Sequence, residues 1–309
     1  MPPAAASGPT CSATHADANC DTSLSMPSVA LILTTYNRPA ALDRVLDSVA
    51  RQTVMPEQVI IADDGSDERT TAVVKAWRPR LRTSLHHAWQ PDNGFRAAAS
   101  RNRAARDAGT DLLLFVDGDC LLRTGVVAEH RRLAEAGCAV AGNRILLSPQ
   151  LTQAVEQGLV DPVGWHLDDW VKARLKGDVE RLWPLITLPG HAWRRLRPTH
   201  WLQMRGCNMA VFRKDFERIN GFEERICGWG FEDSDLAIRL INAGIRVKSG
   251  RFATAVLHLW HRERARDDAE QNRRRALDAK SRRVILADLG LSQRPMDERF
   301  EPPGTGGRD

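Results

Sequence analysis

No stretch of the 309-residue chain approaches the ~18 consecutive apolar residues of a membrane-spanning helix. Met1 to Met26 lack both the basic start and the continuous apolar stretch of a secretory leader, so a cytoplasmic protein is expected. No cysteine pair has C-x-x-C spacing. The six cysteines, at 11, 20, 120, 138, 207 and 227, read as reduced thiols, several of them core fillers. There is no G-x-x-x-x-G-K-S/T phosphate loop, no G-x-G-x-x-G after the first apolar run and no G-x-S-x-G nucleophile elbow. His261-Arg-Glu263 matches H-x-E, but no P-C-x-x-C follows, and the zinc-deaminase reading fails. Internal repeats are absent. With 42% hydrophobic and 27% charged residues, the chain is neither wholly disordered, nor collagen-like, nor a disulfide scaffold.

What is there is a basic chain, with a formal charge of +5. Between His261 and Arg283, nine Lys or Arg stand against five Asp or Glu. Such a stretch is either a solvated helix face or a surface for phosphates, anionic lipid or nucleic acid. Nucleic acid rests on this stretch alone, and no nucleic-acid partner is expected.

Residues 1–27 are Ala, Ser, Pro and Thr with few large apolar groups, and 294–309 are Pro- and Gly-rich. Neither buries enough surface to offset ordering entropy, and both are expected to be disordered. Between them the first half alternates strand and helix. Val29–Leu33, Val59–Ala62 and Leu112–Val116 are continuous apolar runs, as strands covered on both faces would be. Leu42, Val45, Leu46 and Val49 fall on one helical face, Glu68–Trp77 reads as a second helix, and Phe95–Ala108 as a third that stops at Gly109. Thr124 can cap a helix running to Gly137. Later, Asn208–Phe212 reads as a strand, Glu232–Ala243 as a helix, and two short strands lie around Val247 and Ala255. The order predicts an α/β fold with a mostly parallel sheet.

Polar groups gather where the apolar runs end, which is where open parallel sheets bind ligands. The first run leads into Thr34-Thr-Tyr-Asn-Arg38, the second into Asp63-Asp-Gly-Ser66, the third into Asp117-Gly-Asp119. Two carboxylates at i and i+2 of an extended segment point the same way and suit Mg²⁺ or Mn²⁺ with diphosphate oxygens. Asp-Gly-Asp is also good turn chemistry, but its place after Leu-Leu-Leu-Phe-Val favours the site. Asp63–Ser66 has the same two readings; as a site, Asp64 accepts from a nucleobase N–H. In Gly228-Trp-Gly-Phe-Glu-Asp-Ser-Asp235, glycines permit a tight turn and Trp229 offers a flat apolar face. The acids that follow begin a helix, whose positive end should hold a carboxylate ionised as a general base. Helix capping explains the acids but not the glycines and tryptophan. His258 and His261, at i and i+3 after an apolar strand, could ligate a metal or contact phosphate.

Together, Thr34–Arg38, Asp63–Ser66, Asn93-Gly-Phe-Arg96 with Arg101-Asn102, Asp117–Asp119 and Gly228–Asp233, in this order, resemble the inverting family-2 glycosyltransferases with the GT-A fold. The last motif, with His258, is similar to the C-terminal half of β-1,4-galactosyltransferases and bacterial chondroitin polymerases. The resemblance spans roughly 28–262. It implies a Rossmann-like nucleotide-binding half (28–125) and an acceptor and catalytic half (126–262) in one GT-A domain over 28–293, closed by a basic C-terminal helix (263–293). It implies a UDP-sugar donor, Mn²⁺ or Mg²⁺, and transfer of a hexose or N-acetylhexosamine to a glycan or lipid-linked acceptor in cell-envelope polysaccharide or lipopolysaccharide synthesis. By motif, Thr34, Tyr36, Asn37, Arg38, Asp64, Arg101 and Asp117 would serve the nucleotide-sugar. Asp119, Asp117 and His258, or His261 in its place, would hold the metal. Asp233 would be the base beside Glu232, and Trp229 and Asn208 would meet sugar. Ser234 departs from the galactosyltransferase pattern, which continues with acids. The Trp- and Arg-rich segment 165–205 is either a set of core and rim aromatics or an acceptor wall lying on an anionic membrane at its inner face. Two rival classes stand beside this reading. One is a GT-A module that binds nucleotide or glycan without turnover. The other is a nucleotidyltransferase, which would release pyrophosphate.

Overall fold

Apolar residues on both sides of a strand need cover on both faces, and the chain supplies it by alternating strand with helix. The computed structural model describes residues 1, 26–190, 192–262, 266–293 and 300–305. The first part runs β1 (Val29–Thr35), α1 (Pro39–Ala50), β2 (Gln58–Asp63), α2 (Glu68–Trp77), β3 (Ser84–Trp89), α3 (Ala97–Arg106) and β4 (Leu112–Asp117). Then follow β5 (Cys120–Leu122), α4 (Val126–Leu133), β6 (Cys138–Ala141), β7 (Asn143–Leu146), α5 (Pro149–Glu156) and α6 (Leu167–Leu175). The last part holds β8 (Asn208–Phe212), α7 (Arg213–Arg218), α8 (Glu232–Asn242), β9 (Arg246–Ser249), β10 (Ala255–His258) and α9 (Ala269–Ser281).

The main sheet has the order β3-β2-β1-β4-β8-β6-β9. Only β8 opposes its neighbours, β4 and β6. Alternate residues of β1 enter two cores. Val29, Leu31 and Leu33 join the α1, α2 and α4 side, whereas Ala30 and Ile32 join the α3, α7 and α8 side. From α1, Leu42, Val45, Leu46 and Val49 enter the first core, each worth about 1.5–3 kcal/mol on burial. The expected α/β architecture with a mostly parallel sheet is therefore the observed one.

Several boundaries differ from the sequence reading. The third helix is Ala97–Arg106, shorter than Phe95–Ala108. The fourth starts from Gly125 rather than Thr124 and ends at Leu133, where Ala134 turns to extended backbone (φ −60°, ψ 133°). Cys120, Cys138 and Cys207 are buried free thiols and Cys227 is exposed; Cys11 and Cys20 lie outside the described residues. Of the expected N-terminal tail, residues 2–25 lie outside them too. Of the expected C-terminal tail, 300–305 are described. Phe300 stacks under the Arg103 guanidinium at 4.5 Å and the Gly304 carbonyl accepts from Lys75. Within the basic stretch, α9 buries Asn272, Ala276 and Ala279, and pairs Arg274 with Glu270 and Arg282 with Asp278 on its outer face.

Two features of this topology position the site. Strand register sets Thr34 beside Asp117 and Thr35 beside Asp63, so β1, β2 and β4 end level. A second sheet, β5-β10-β7, leaves the same end and pairs Cys120 with His258. Among the described residues no helix is long and apolar enough to cross a membrane.

Candidate active site

Arg101 organises the centre. It is buried on α3, and its guanidinium donates to Thr34 Oγ1 (3.0 Å), Asp117 Oδ1 (2.9 Å) and Glu232 Oε1 (2.9 Å). The two carboxylates hold its pKa above the ordinary arginine value despite burial. One side chain thus joins β1, β4 and the start of α8. Gly206 stands against it, and a Cβ there would lie 2.8 Å from Arg101 Nη2. Gly118 packs as tightly, since a Cβ would meet the Thr34 carbonyl at 2.9 Å. The glycine of Asp-Gly-Asp is required by this close approach to β1.

Asp119 faces two imidazoles. His258 Nε2 lies 3.7 Å from its Oδ1, and His261 Nε2 lies 3.7 Å from its Oδ2. Both distances exceed a hydrogen bond. They are near the separation of two ligand atoms held about 2.1 Å from one ion at roughly tetrahedral angles. Burial is the main cause that lowers the His258 pKa, to about 4, which leaves a neutral ring with a free lone pair at pH 7. The alternatives His258 and His261 are therefore both at the carboxylate. The small sheet ends at His258, and the following turn returns His261 to the other oxygen.

Arg38 also reaches this cluster. It donates to Asp119 Oδ2 (2.9 Å), Glu156 Oε1 (2.6 Å) and the Trp260 carbonyl (3.3 Å). It thus stands with Asp119 rather than with Asp64. Tyr36 donates to Asp92 (2.7 Å), and Asn37 Oδ1 accepts from the Asp67 N–H (2.9 Å), tying the β1 and β2 loops together. Asp64 is buried and accepts from Gln90 Nε2 (2.7 Å) and the Arg96 N–H (2.7 Å). Asp63 faces inward, to His87 Nε2 (2.8 Å) and the Ser66 N–H (2.8 Å).

The acids at α8 divide their work. Phe231 precedes the helix at φ 73°, a left-handed turn that lifts Glu232 and Asp233 toward Arg101 and Gly206. Asp233 Oδ2 accepts from the Gly206 N–H (2.9 Å). Sequence reasoning expected the helix end to keep Asp233 firmly ionised. Instead, burial and then the Glu232 charge push its pKa up to about 6. Asp235 is structural, paired with buried Arg239 (2.7 Å). The Trp229 face lies under the Arg266 guanidinium at 4.5 Å.

Asn208 does not join the site, contrary to expectation. It is buried. Its Oδ1 lies 2.8 Å from His130 Nε2, and its Nδ2 donates to the carbonyls of Asn143 (2.8 Å) and Thr254 (2.5 Å). Gln90, Glu156 and Gly206 went unnoticed in the sequence. Only Gly206 carries a local signal, a glycine just before an apolar strand.

The Glycosyl transferase family 2 profile matches residues 30–216. The chain belongs to this family. A second profile, described as the N-terminal domain of galactosyltransferase, matches residues 195–262, which hold the Gly228–Asp233 turn and both histidines. The chain is 33% identical over 238 residues to a validoxylamine A glucosyltransferase of Streptomyces hygroscopicus subsp. limoneus, covering 73% of this chain and 50% of that one. It is 24% identical over 262 residues to a chondroitin synthase of Escherichia coli, covering 81% and 37%. The chain thus spans half or less of the length of these relatives. Among solved structures, a mannosyltransferase of Pyrobaculum calidifontis in complex with GDP-Man and Mn²⁺ superposes with a TM-score of 0.52 at 19% identity, covering 84% of this chain and 64% of that one. This places the family-2 chain in the GT-A fold.

Proposed function

We propose that the chain is a metal-dependent inverting glycosyltransferase. It moves a hexose or N-acetylhexosamine from a UDP-sugar to a hydroxyl of a glycan or glycolipid acceptor, in cell-envelope polysaccharide synthesis at the cytoplasmic side. One observation carries the reading: Arg101 links the strand ends bearing Thr34 and Asp117 to the Glu232–Asp233 turn.

Asp119, His258 and His261, with Asp117 beside them, are the residues that would hold the ion. One carboxylate and two imidazoles suit a divalent transition-metal ion, and the mannosyltransferase neighbour was solved with Mn²⁺. When bound, the ion would offset the charge gathering on the departing diphosphate. Thr34, Tyr36, Asn37 and Asp64 line the nucleoside side. Arg38, already at Asp119, adds a cation at the diphosphate. Trp229 stacks on the sugar in place of Arg266. Asp233 takes the proton of the acceptor hydroxyl as that oxygen attacks the anomeric carbon. A pKa of about 6 suits this role, because the group is about nine-tenths ionised at pH 7 yet remains a useful base. The Gly206 N–H holds Oδ2 and the Ser234 hydroxyl donates to Oδ1 (3.2 Å), whose second lone pair would take the proton of the acceptor hydroxyl. Glu232 keeps Arg101 in place. A single base opposite the leaving group gives inversion.

The test is nucleoside diphosphate release from a panel of UDP- and GDP-sugars, with Mn²⁺ or EDTA, and with Asp119→Ala. Metal-dependent UDP release from one sugar, lost in the variant, and a product of inverted anomeric configuration by NMR are expected. Retained configuration, or pyrophosphate release, overturns the reading.

A further inference from the structure

Fourteen large apolar side chains are exposed among the described residues, and eight of them lie between residues 159 and 202. The densest group is on α6. Leu167, Val171 and Leu175 repeat at i, i+4 and i+8 and are 72%, 42% and 83% exposed. The opposite side of the same helix buries Trp170 and Ala173, with Trp170 edge-on to Trp165 at 4.9 Å. The helix is thus anchored by one apolar face while a second faces solvent. A surface helix ordinarily carries polar residues on the face away from the core. Leu159, Leu196 and Leu202 extend the exposed set beyond α6.

The segment beyond α6 is tied to the end of β9. Arg194 is buried and donates to the carbonyls of Leu188, Gly190 and Ser249, fixing the loop that carries exposed Ile186 and Leu188. The surface is also basic. With buried Arg194 set aside, residues 159–205 hold seven Lys or Arg against five Asp or Glu. Among the described residues, Arg174 and Lys176 at the C-terminal end of α6 make no ion pair. The surface borders the site as well. Trp260, exposed and two residues beyond His258, donates its N–H to Thr152 of α5 (2.7 Å), the helix that leads into this segment.

We infer that this segment, with α6 at its centre, is a docking face for an anionic lipid bilayer surface. The inference deepens the proposed function and rests on it only for the purpose of docking, which is to bring a lipid-linked acceptor hydroxyl to Asp233. Leucines flanked by Lys and Arg are what a membrane interface selects: apolar groups enter the acyl boundary while cations meet the headgroups. A second protein surface would accept the leucines but would not require the surrounding positive charge. The basic 261–283 stretch is the weaker candidate, since among the described residues none of the exposed large apolar side chains lies in it.

The experiment is co-sedimentation of the full chain with phosphatidylcholine vesicles, with and without phosphatidylglycerol. It is repeated for Leu167→Ser/Leu175→Ser and for Arg174→Glu/Lys176→Glu. Binding to anionic vesicles is expected to exceed that to neutral ones. It should fall about a hundredfold in the leucine pair, as expected for removing two inserted side chains, and weaken in the charge pair and in high salt. UDP binding and melting temperature should be unchanged in all variants. A wild-type chain that stays in the supernatant overturns the inference, as does equal binding to both vesicles. Self-association lost in the leucine pair, with no vesicle binding, assigns the face to a second copy and also overturns it. Metal-dependent UDP release is scored separately and stands or falls independently of the vesicles.

Discussion

Replacing Glu232 by Gln isolates one cause of the raised Asp233 pKa. The amide oxygen of Gln can still accept from Arg101 Nη1, so the 2.9 Å contact survives while the charge goes. Asp233 is pushed up to about 6 first by burial and second by Glu232. A like-charged, partly buried neighbour contributes on the order of 1–2 kcal/mol at an effective dielectric of about 20, or about one pH unit. In the wild type, activity requires ionised Asp233, so kcat/KM should fall on the acid side with a midpoint near pH 6. From pH 7 to pH 5 the ionised fraction drops about tenfold. In Glu232→Gln the midpoint should move down, toward pH 5. At pH 5 the variant should retain about half its own plateau, against about a tenth for the wild type. The assay is kcat/KM for sugar transfer from pH 4.5 to 8 at saturating Mn²⁺, each curve scaled to its plateau. A wild-type midpoint near the ordinary carboxylate value, or a variant midpoint that stays or rises, refutes the assignment of Asp233 as a base tuned by burial and Glu232.

Three further outcomes follow from the same geometry. His258→Ala and His261→Ala should each weaken Mn²⁺ binding in the presence of UDP by at least about tenfold, read by calorimetry; an unchanged affinity removes that ring from the ligand set. Arg101→Met should strand Asp117 and Glu232, cost about 3–5 kcal/mol and lower the melting temperature by roughly 10 °C; a change within 2 °C would show that the carboxylates find other cover. Asn208→Ala should cost about 2 kcal/mol by orphaning His130 and two carbonyls, with UDP and acceptor KM unchanged; a raised acceptor KM on an intact fold would return Asn208 to the site.

The parts of the fold that are legible in sequence are those where burial leaves a one-dimensional trace. β1, β2 and β4 are covered on both faces and show as unbroken apolar runs, and α1 shows its stripe. β3 is an edge strand paired only with β2, and its Ser84-Leu-His-His-Ala-Trp89 carries no such run. In the small sheet β10 is legible around Ala255, whereas β5 and β7, of three and four residues, are too short for periodicity. The site follows the same division. Thr34, Asp117 and Asp119 sit where legible strands end, so their convergence was foreseeable. Asn208 also sits at a strand terminus, but β8 runs antiparallel and its first residue turns into the protein, toward His130. The choice between His258 and His261 depended on a turn between two sheets. The raised pKa of Asp233 depends first on burial, which comes from packing that no neighbouring residue in the sequence announces.

Arg101 serves three partners with one guanidinium, and the farthest, Glu232, is 131 residues along the chain. Such sharing couples the histories of distant positions. An acid lost at 117 would overload the pair at 232, and an acid lost at 232 would loosen the cation from 34 and 117. Related chains should therefore change these positions together, replacing the whole quartet Thr34, Arg101, Asp117 and Glu232 by another balanced set rather than drifting one residue at a time. For the same reason, a chimera that exchanges everything after β4 for that of a distant relative should be inactive unless it inherits an acid able to meet this arginine.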